Sequence, residues 1–299
     1  MAGEALVALS DALASAVESA GPSIVRVEGR RRLPASGIVW SQDGLIVTAH
    51  HVVEQDENIG IGLSDGRTVT ATLVGRDPTT DLALLRAPLD GLAVPAWTNG
   101  EALHVGHFAL ALGRPGQSVM ATLGIISALK KDWRTPAGGQ LDYYLQTDAL
   151  MYPGFSGGPL VSAGGKFLGL NTSAMLRDVT LTIPAGTIRR VADALLRHGR
   201  VKRGYLGVGA QTVRLPKPIA EQVGQETGLL LGSVEPGSPA ERGGLFMGDT
   251  LLALDGQHTA HLDDLLAALS ADRVGKTVPV RVLRGGQVTE VNVVVGEQG

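Results

Sequence analysis

From Ser23 to about Pro184 the apolar residues come in short runs, each cut off by turn-forming residues: "SIVRVEG", "SGIVWSQDGLIVTAHHVV", "IGIGLSDGRTVTATLVG", "DLALLRA", "FALALG", "GIISALKK" and "GKFLGLNT". Runs of this length with Asp-Gly and Gly-Gly turns between them predict an all-β barrel or sandwich with few helices. The period changes at both ends of this region. In "MAGEALVALSDALASAVESAG" Leu6, Leu9, Leu13 and Val17 recur at helical spacing and Gly21-Pro22 closes the run, which predicts an amphipathic leader helix over 1–21. In "PAGTIRRVADALLRHGRVKRG" Ile188, Val191, Leu195 and Leu196 define one helical face and Gly199 a stop, placing a domain boundary there and a β-rich domain over 22–200. From Gly204 the pattern restarts with "YLGVGAQTV", "GLLLGSV", "DTLLALDG", "HLDDLLAALSA" and "TVPVRVLRGGQVTEVNVVV". Five or six strands and two helices fit there, a second and smaller α+β module over 204–297.

Composition narrows the reading. Of the 299 residues 44% are hydrophobic but only 4% aromatic, so the cores are built from Val, Leu, Ala and Ile. The net charge of −3 supplies no global field for nucleic acid or acidic lipid, so no nucleic-acid partner is expected. Cysteine is absent, which excludes disulfides, Cys metal sites and Cys nucleophiles. No apolar run approaches the roughly 18 residues of a membrane span. Glu4, Asp11 and Glu18 precede any basic cluster, so the chain as given lacks the charge layout of an export signal. The run Arg30–Arg32 reads as a solvated loop.

The chemistry concentrates in "MYPGFSGGPLV", residues 151–161. A serine hydroxyl becomes a nucleophile only when a base takes its proton and donors stabilise the oxyanion it creates. Gly154, Gly157 and Gly158 free the backbone to aim N–H groups beside Ser156, while Pro153 and Pro159 stiffen the loop. "GFSGG" also satisfies the G-x-S-x-G elbow of α/β-hydrolases, which needs a helix straight after the serine and a histidine later in the chain, among His198, His258 or His261. Gly157-Gly158-Pro159 opens a helix poorly. The upstream text instead offers "TAHHVV" and "DPTTDLALL", giving the chain order His51, Asp81, Ser156 of the chymotrypsin arrangement.

"DGLIVTAHHVV", "LVGRDPTTDLALL", "LQTDALMYPGFSGGPLV" and "VKRGYLGV" resemble the HtrA/Deg family of serine proteases, from about Pro22 to the end of the chain. The resemblance implies a mainly β protein, a chymotrypsin-like double β-barrel followed by a small α+β PDZ domain. It places the base on His51 rather than His50, which strand alternation would turn to the opposite face. It places the orienting acid on Asp81, the nucleophile on Ser156 and the oxyanion donors on the backbone N–H groups of Gly154 and Ser156. The floor of the primary specificity pocket would fall at Leu150, implying cleavage after small or medium apolar residues. In the second domain Tyr205, Leu206, Gly207 and Val208 would receive a peptide C-terminus, with the terminal side chain against a helix carrying Leu262, Leu265, Leu266 and Leu269.

The implied activity is endoproteolysis of unfolded or misfolded polypeptide, with no metal or cofactor, in a homotrimer or higher multiple. Relatives commonly work outside the cytoplasm, so an extracytoplasmic location would follow if the chain has lost an export signal. One departure stands out: Phe155 occupies the position between glycine and serine where the family usually has Asn. A collapsed oxyanion loop there would leave a proteolytically inactive chaperone or scaffold, the rival reading. His104 and His107 have a metal-like spacing without a third ligand nearby. "GKT" at Gly275–Thr277 lacks the earlier glycine of a phosphate loop, whose place Ser270 holds.

Overall fold

The computed structural model describes residues 2–31, 33–98, 103–176 and 179–297; Arg32 of the arginine run lies outside them. The chain divides into two compact units, one through Val201 and one from Lys202. The first opens with helix α1 (Ala2–Ala20). Six strands follow: β1 (Ile24–Glu28), β2 (Ala35–Val39), β3 (Leu45–Ala49), β4 (Ile59–Gly62), β5 (Thr68–Asp77) and β6 (Leu82–Arg86). They close into an antiparallel barrel in the order β1-β2-β3-β6-β5-β4, with β1 pairing both β2 and β4. A second closed barrel uses β7 (Phe108–Gly113), β8 (Met120–Arg134), β9 (Gln140–Thr147), β10 (Pro159–Ser162), β11 (Phe167–Leu176) and β12 (Val179–Pro184), in the order β10-β11-β12-β9-β8-β7. Traced from its first strand this is the same order as in the first barrel. The duplication is one of topology, with no repeat in the residues.

Closure leaves no open edge and buries the inner face, and β2 and β3 pack their outer faces against β7 and β11 of the second barrel. β2 and β3 are accordingly buried along their whole length. One apolar cluster runs through the first barrel and into the second, from Ile24, Ile38 and Leu84 to Leu112, Phe167 and Leu170. Helix α2 (Ala185–His198) adds Ile188, Val191 and Leu195 to it and ends at Gly199 in the left-handed region. Leu196, expected on that face, is 40% exposed, and Ala192 takes its place in the contact. Only the second half of α1 docks: Ala16 and Ala20 are buried with Leu13 and Val17 against them, while Leu6 is 68% exposed.

The second unit holds β13 (Gly204–Tyr205), β14 (Val208–Arg214), α3 (Lys217–Val223), β15 (Thr227–Val234), α4 (Pro239–Arg242), β16 (Thr250–Leu254), β17 (Gln257–His258), α5 (Leu262–Ala268), β18 (Thr277–Arg284), β19 (Gln287–Val294) and β20 (Gly296–Glu297). The main sheet runs β14-β15-β16-β18-β19, so β14 is an edge strand; β13 pairs with β20. Leu206, Leu229, Leu251, Leu265 and Val280 sit in its core. Of the α5 leucines, Leu265 points inward and Leu262 is 47% exposed. A buried Asp249 is held bidentately by Arg284 at 2.7 Å on each oxygen.

Candidate active site and peptide loop

His51 lies in a short 3-10 turn, His50–Val52, that follows β3 directly, where the sequence pattern predicted a strand. The turn arises because the His50 N–H donates to the Asp81 carbonyl (2.9 Å) and the Val53 N–H closes back on His50 (3.0 Å). Asp81 precedes β6 and is 5% exposed, with φ 55°, the left-handed region that aspartate tolerates better than most residues. A buried Asp77 builds that turn by accepting from the Thr79 N–H and from the hydroxyls of Thr79 and Thr80.

Asp81 Oδ1 accepts from the His51 N–H at 2.9 Å, and Oδ2 lies 2.8 Å from His51 Nδ1. A carboxylate offers no proton, so this contact needs the proton on Nδ1 and leaves Nε2 as a basic lone pair. The Thr172 hydroxyl donates to the same Oδ2. Burial presses the neighbouring His50 below its ordinary 6.5, with the Asp81 charge opposing.

Ser156 stands in the loop between β9 and β10 and is 9% exposed. Phe155 beside it is fully buried in the second barrel with Ile126, Leu145 and Leu160, its ring edge-to-face with Tyr152 at 5.9 Å. The loop is thereby anchored by packing where the family pattern has a polar side chain. The Phe155 carbonyl accepts from the Gly158 N–H (2.9 Å) and its N–H donates to Tyr152 (3.0 Å). A Cβ on Gly157 (φ +86°) would lie 2.0 Å from the Ser36 carbonyl oxygen, so the first barrel seats directly on the loop and only glycine fits. The N–H groups of Gly154 and Ser156 have no hydrogen-bond acceptor among the described residues. Two free donors flanking a serine can hold a developing oxyanion.

The Ser156 hydroxyl is 3.2 Å from the hydroxyl of Ser173 and makes no hydrogen bond with His51 among the described residues. Asp81 and Ser156 therefore meet through consecutive residues of β11, Thr172 and Ser173, whose Cα atoms are about 3.8 Å apart. Sequence reasoning missed both, since short hydroxyl residues inside "LNTSAML" carry no spacing signal. Leu150 lies in the same loop with its side chain 60% exposed and its carbonyl bonded by the Thr122 hydroxyl. After Ser156 the chain enters β10, where an α/β-hydrolase elbow would require a helix. His104 and His107 stack edge-to-face and bond each other across a turn, and no group of three metal-ligating side chains exists among the described residues.

In the second unit the carbonyls of Leu206 and Gly207 are taken by the N–H groups of Ala240 (2.9 Å) and Glu235 (2.8 Å). The N–H groups of Leu206 and Gly207 have no acceptor among the described residues, and Gly207 adopts φ +79°. The Tyr205 hydroxyl donates to Glu235. Val208 then begins β14, the free edge.

Two closed barrels, with a His–Asp pair from the first beside a serine loop from the second, define a trypsin-like serine peptidase architecture. The family model for a trypsin-like peptidase domain matches residues 35–170, and that for a PDZ domain matches 204–295. The chain belongs to the HtrA/Deg family, as its motifs indicated. It superposes on the serine endoprotease from Yersinia pestis with a TM-score of 0.80 at 31% identity, covering 96% of this chain and 98% of that one. The HtrA-type protease AlgW, solved with a decapeptide, gives a TM-score of 0.80 at 29% identity over 96% of this chain and 99% of that one. Curated relatives include probable periplasmic serine endoproteases, described as DegP-like, from Chlamydia trachomatis and Halomonas elongata. They are 34% and 37% identical over 90% and 89% of this chain, but over 55% and 57% of their own lengths. The chain thus spans about half the length of these curated relatives.

Proposed function

We propose that the chain is a serine endopeptidase cleaving unfolded or misfolded polypeptide, with a PDZ domain that captures peptide C-termini. The observation that carries this is the His51–Asp81 pair, polarised so that Nε2 is basic, brought beside Ser156 through β11. The Ser156 hydroxyl turns from Ser173 to His51 Nε2, gives up its proton and attacks the scissile carbonyl. Asp81 stabilises the imidazolium, and the N–H groups of Gly154 and Ser156 receive the oxyanion. His51 then protonates the leaving amine, and water, activated by the same nitrogen, releases the acyl group. An apolar side chain at Leu150 favours small or medium apolar residues at the cleaved position; a preference for Arg in a peptide library would refute that assignment.

In the second unit the free N–H groups of Leu206 and Gly207 suit a terminal carboxylate, and the peptide would add to the edge of β14. Names of the curated relatives support an extracytoplasmic location, and none of the described helices is long and apolar enough to cross a membrane. The trimer implied by the family is a further proposal, tested by light scattering with and without residues 2–20.

A second reading, an inactive scaffold, is favoured by one observation: the Ser156 hydroxyl pairs with Ser173 instead of His51. Casein turnover by the parent and by Ser156→Ala, with mass-spectrometric location of a fluorophosphonate label, separates the two. Labelling at Ser156 with turnover lost in the variant supports the enzyme; equal residual turnover in both refutes it.

A further inference from the structure

We propose that Arg114 is a positioning residue that ties the N-terminal segment, through Ser36, to the oxyanion loop. This rests on the reading of Gly154 as an oxyanion donor. Arg114 is 5% exposed, and its guanidinium donates from Nε to the Ile24 carbonyl (2.7 Å) and from its terminal nitrogens to the carbonyls of Gly21 (2.9 Å) and Gln117. No carboxylate pairs with it among the described residues. Burial accordingly depresses its pKa. An apolar side chain of similar volume would avoid desolvating a cation but would leave three carbonyls without their donor. What a guanidinium adds is direction, because its planar fork fixes three carbonyls from two separate stretches of chain.

The backbone of the same residue continues the connection. The Arg114 N–H donates to the Ser36 hydroxyl at 2.7 Å, and that hydroxyl donates its single proton to the Gly154 carbonyl, again at 2.7 Å. Ser36 also donates its N–H to the Ser156 carbonyl at 3.1 Å. Pro115 packs onto Gly154 so closely that a Cβ there would lie 2.6 Å from it. Gly154, at φ +93°, has no side chain to hold its own orientation. The direction of its N–H is therefore set from outside, by Ser36 and by the loop that Arg114 pins to residues 21–24. The local text "GRPGQ" reads only as a turn, so nothing in the sequence pointed here.

The test compares Arg114→Met, Ser36→Ala and the double variant with the parent in steady-state peptide hydrolysis and thermal melting. Amide spectra of the 15N-glycine-labelled proteins provide a readout independent of turnover. A misaligned oxyanion donor should lower kcat by about 10- to 100-fold with KM nearly unchanged. The double variant should be no worse than the more damaging single one. Arg114→Met should keep a cooperative melt, at a lower temperature because three carbonyls lose their donor, and the Gly154 and Gly157 amides should shift while Gly66 stays. Unchanged kcat, losses that multiply, or activity lost together with the cooperative melt would overturn the proposal. Should the parent turn over no faster than Ser156→Ala, the peptidase reading fails. The amide spectra then decide the coupling alone: an unmoved Gly154 refutes it and a shifted one supports it.

Discussion

Replacing Ser173 by alanine tests how the hydroxyl of Ser156 is shared between two partners. In the arrangement observed it pairs with Ser173 Oγ at 3.2 Å, and attack requires it to turn toward His51 Nε2. A hydrogen bond between neutral hydroxyls contributes about 1 kcal/mol net, and the exposed position of Ser173 argues for about 0.5–1 kcal/mol. Removing it lowers the cost of reaching the attacking rotamer by that amount, which corresponds to a rate about two- to fivefold higher. The suitable assay is the second-order rate of inactivation by a small fluorophosphonate, since this reports activation of the nucleophile without product release or peptide binding at the second domain. A tenfold fall in Ser173→Ala would refute the reasoning, because it would mean that Ser173 donates to Ser156 and holds it ready. An unchanged rate would show that the contact restrains nothing.

Asp81→Asn should lower kcat by about 10⁴-fold in peptide hydrolysis, through loss of the tautomer-fixing carboxylate. Because Asn also tolerates φ 55°, the fold should melt nearly as before, and a loss of under tenfold would remove Asp81 from the mechanism. His50 is pressed below 6.5 by burial, so the folded state binds fewer protons than the unfolded one. Its contribution to stability is thus fully present above pH 6.5 and is lost as pH falls below that value toward the depressed folded pKa. His50→Gln should flatten the decline of Tm between about pH 7 and 5, and an identical pH profile would count against it. Gly207→Ala would put a Cβ 2.4 Å from the Ser238 Cβ at φ +79°. Fluorescence anisotropy should show loss of binding of an apolar C-terminal peptide, while hydrolysis of a short substrate persists; retained binding would exclude this loop as the carboxylate site.

Much of the molecule was legible residue by residue. Alternation and turn residues located the barrel strands, and the helical face of Ile188, Val191 and Leu195 was correct because each points at one large apolar surface. Where the pattern misled, tertiary contact decided. Leu6 keeps its helical period yet is 68% exposed, and on α2 Ala192 is buried against the barrel while Leu196 is 40% exposed. His50 and His51 do not alternate on a strand, because the Asp81 carbonyl draws the His50 N–H into a turn.

The sequence by itself determined which side chains could do chemistry here, since a lone serine among glycines, a histidine after "TA" and an aspartate before "LALL" are local choices of residue type. Periodicity, being local too, put the change from barrel to α+β module between residues 200 and 204, and the compact units divide at Val201 and Lys202. Only the tertiary structure decided that Thr172 and Ser173 join Asp81 to Ser156, that Phe155 anchors the loop, and that Arg114 reaches back to Gly21 and Ile24. The Thr172–Asp81 and Arg114 contacts depend on closing two barrels against each other and the others on closing the second barrel, and residues far apart in the chain leave no spacing by which such a meeting could be read.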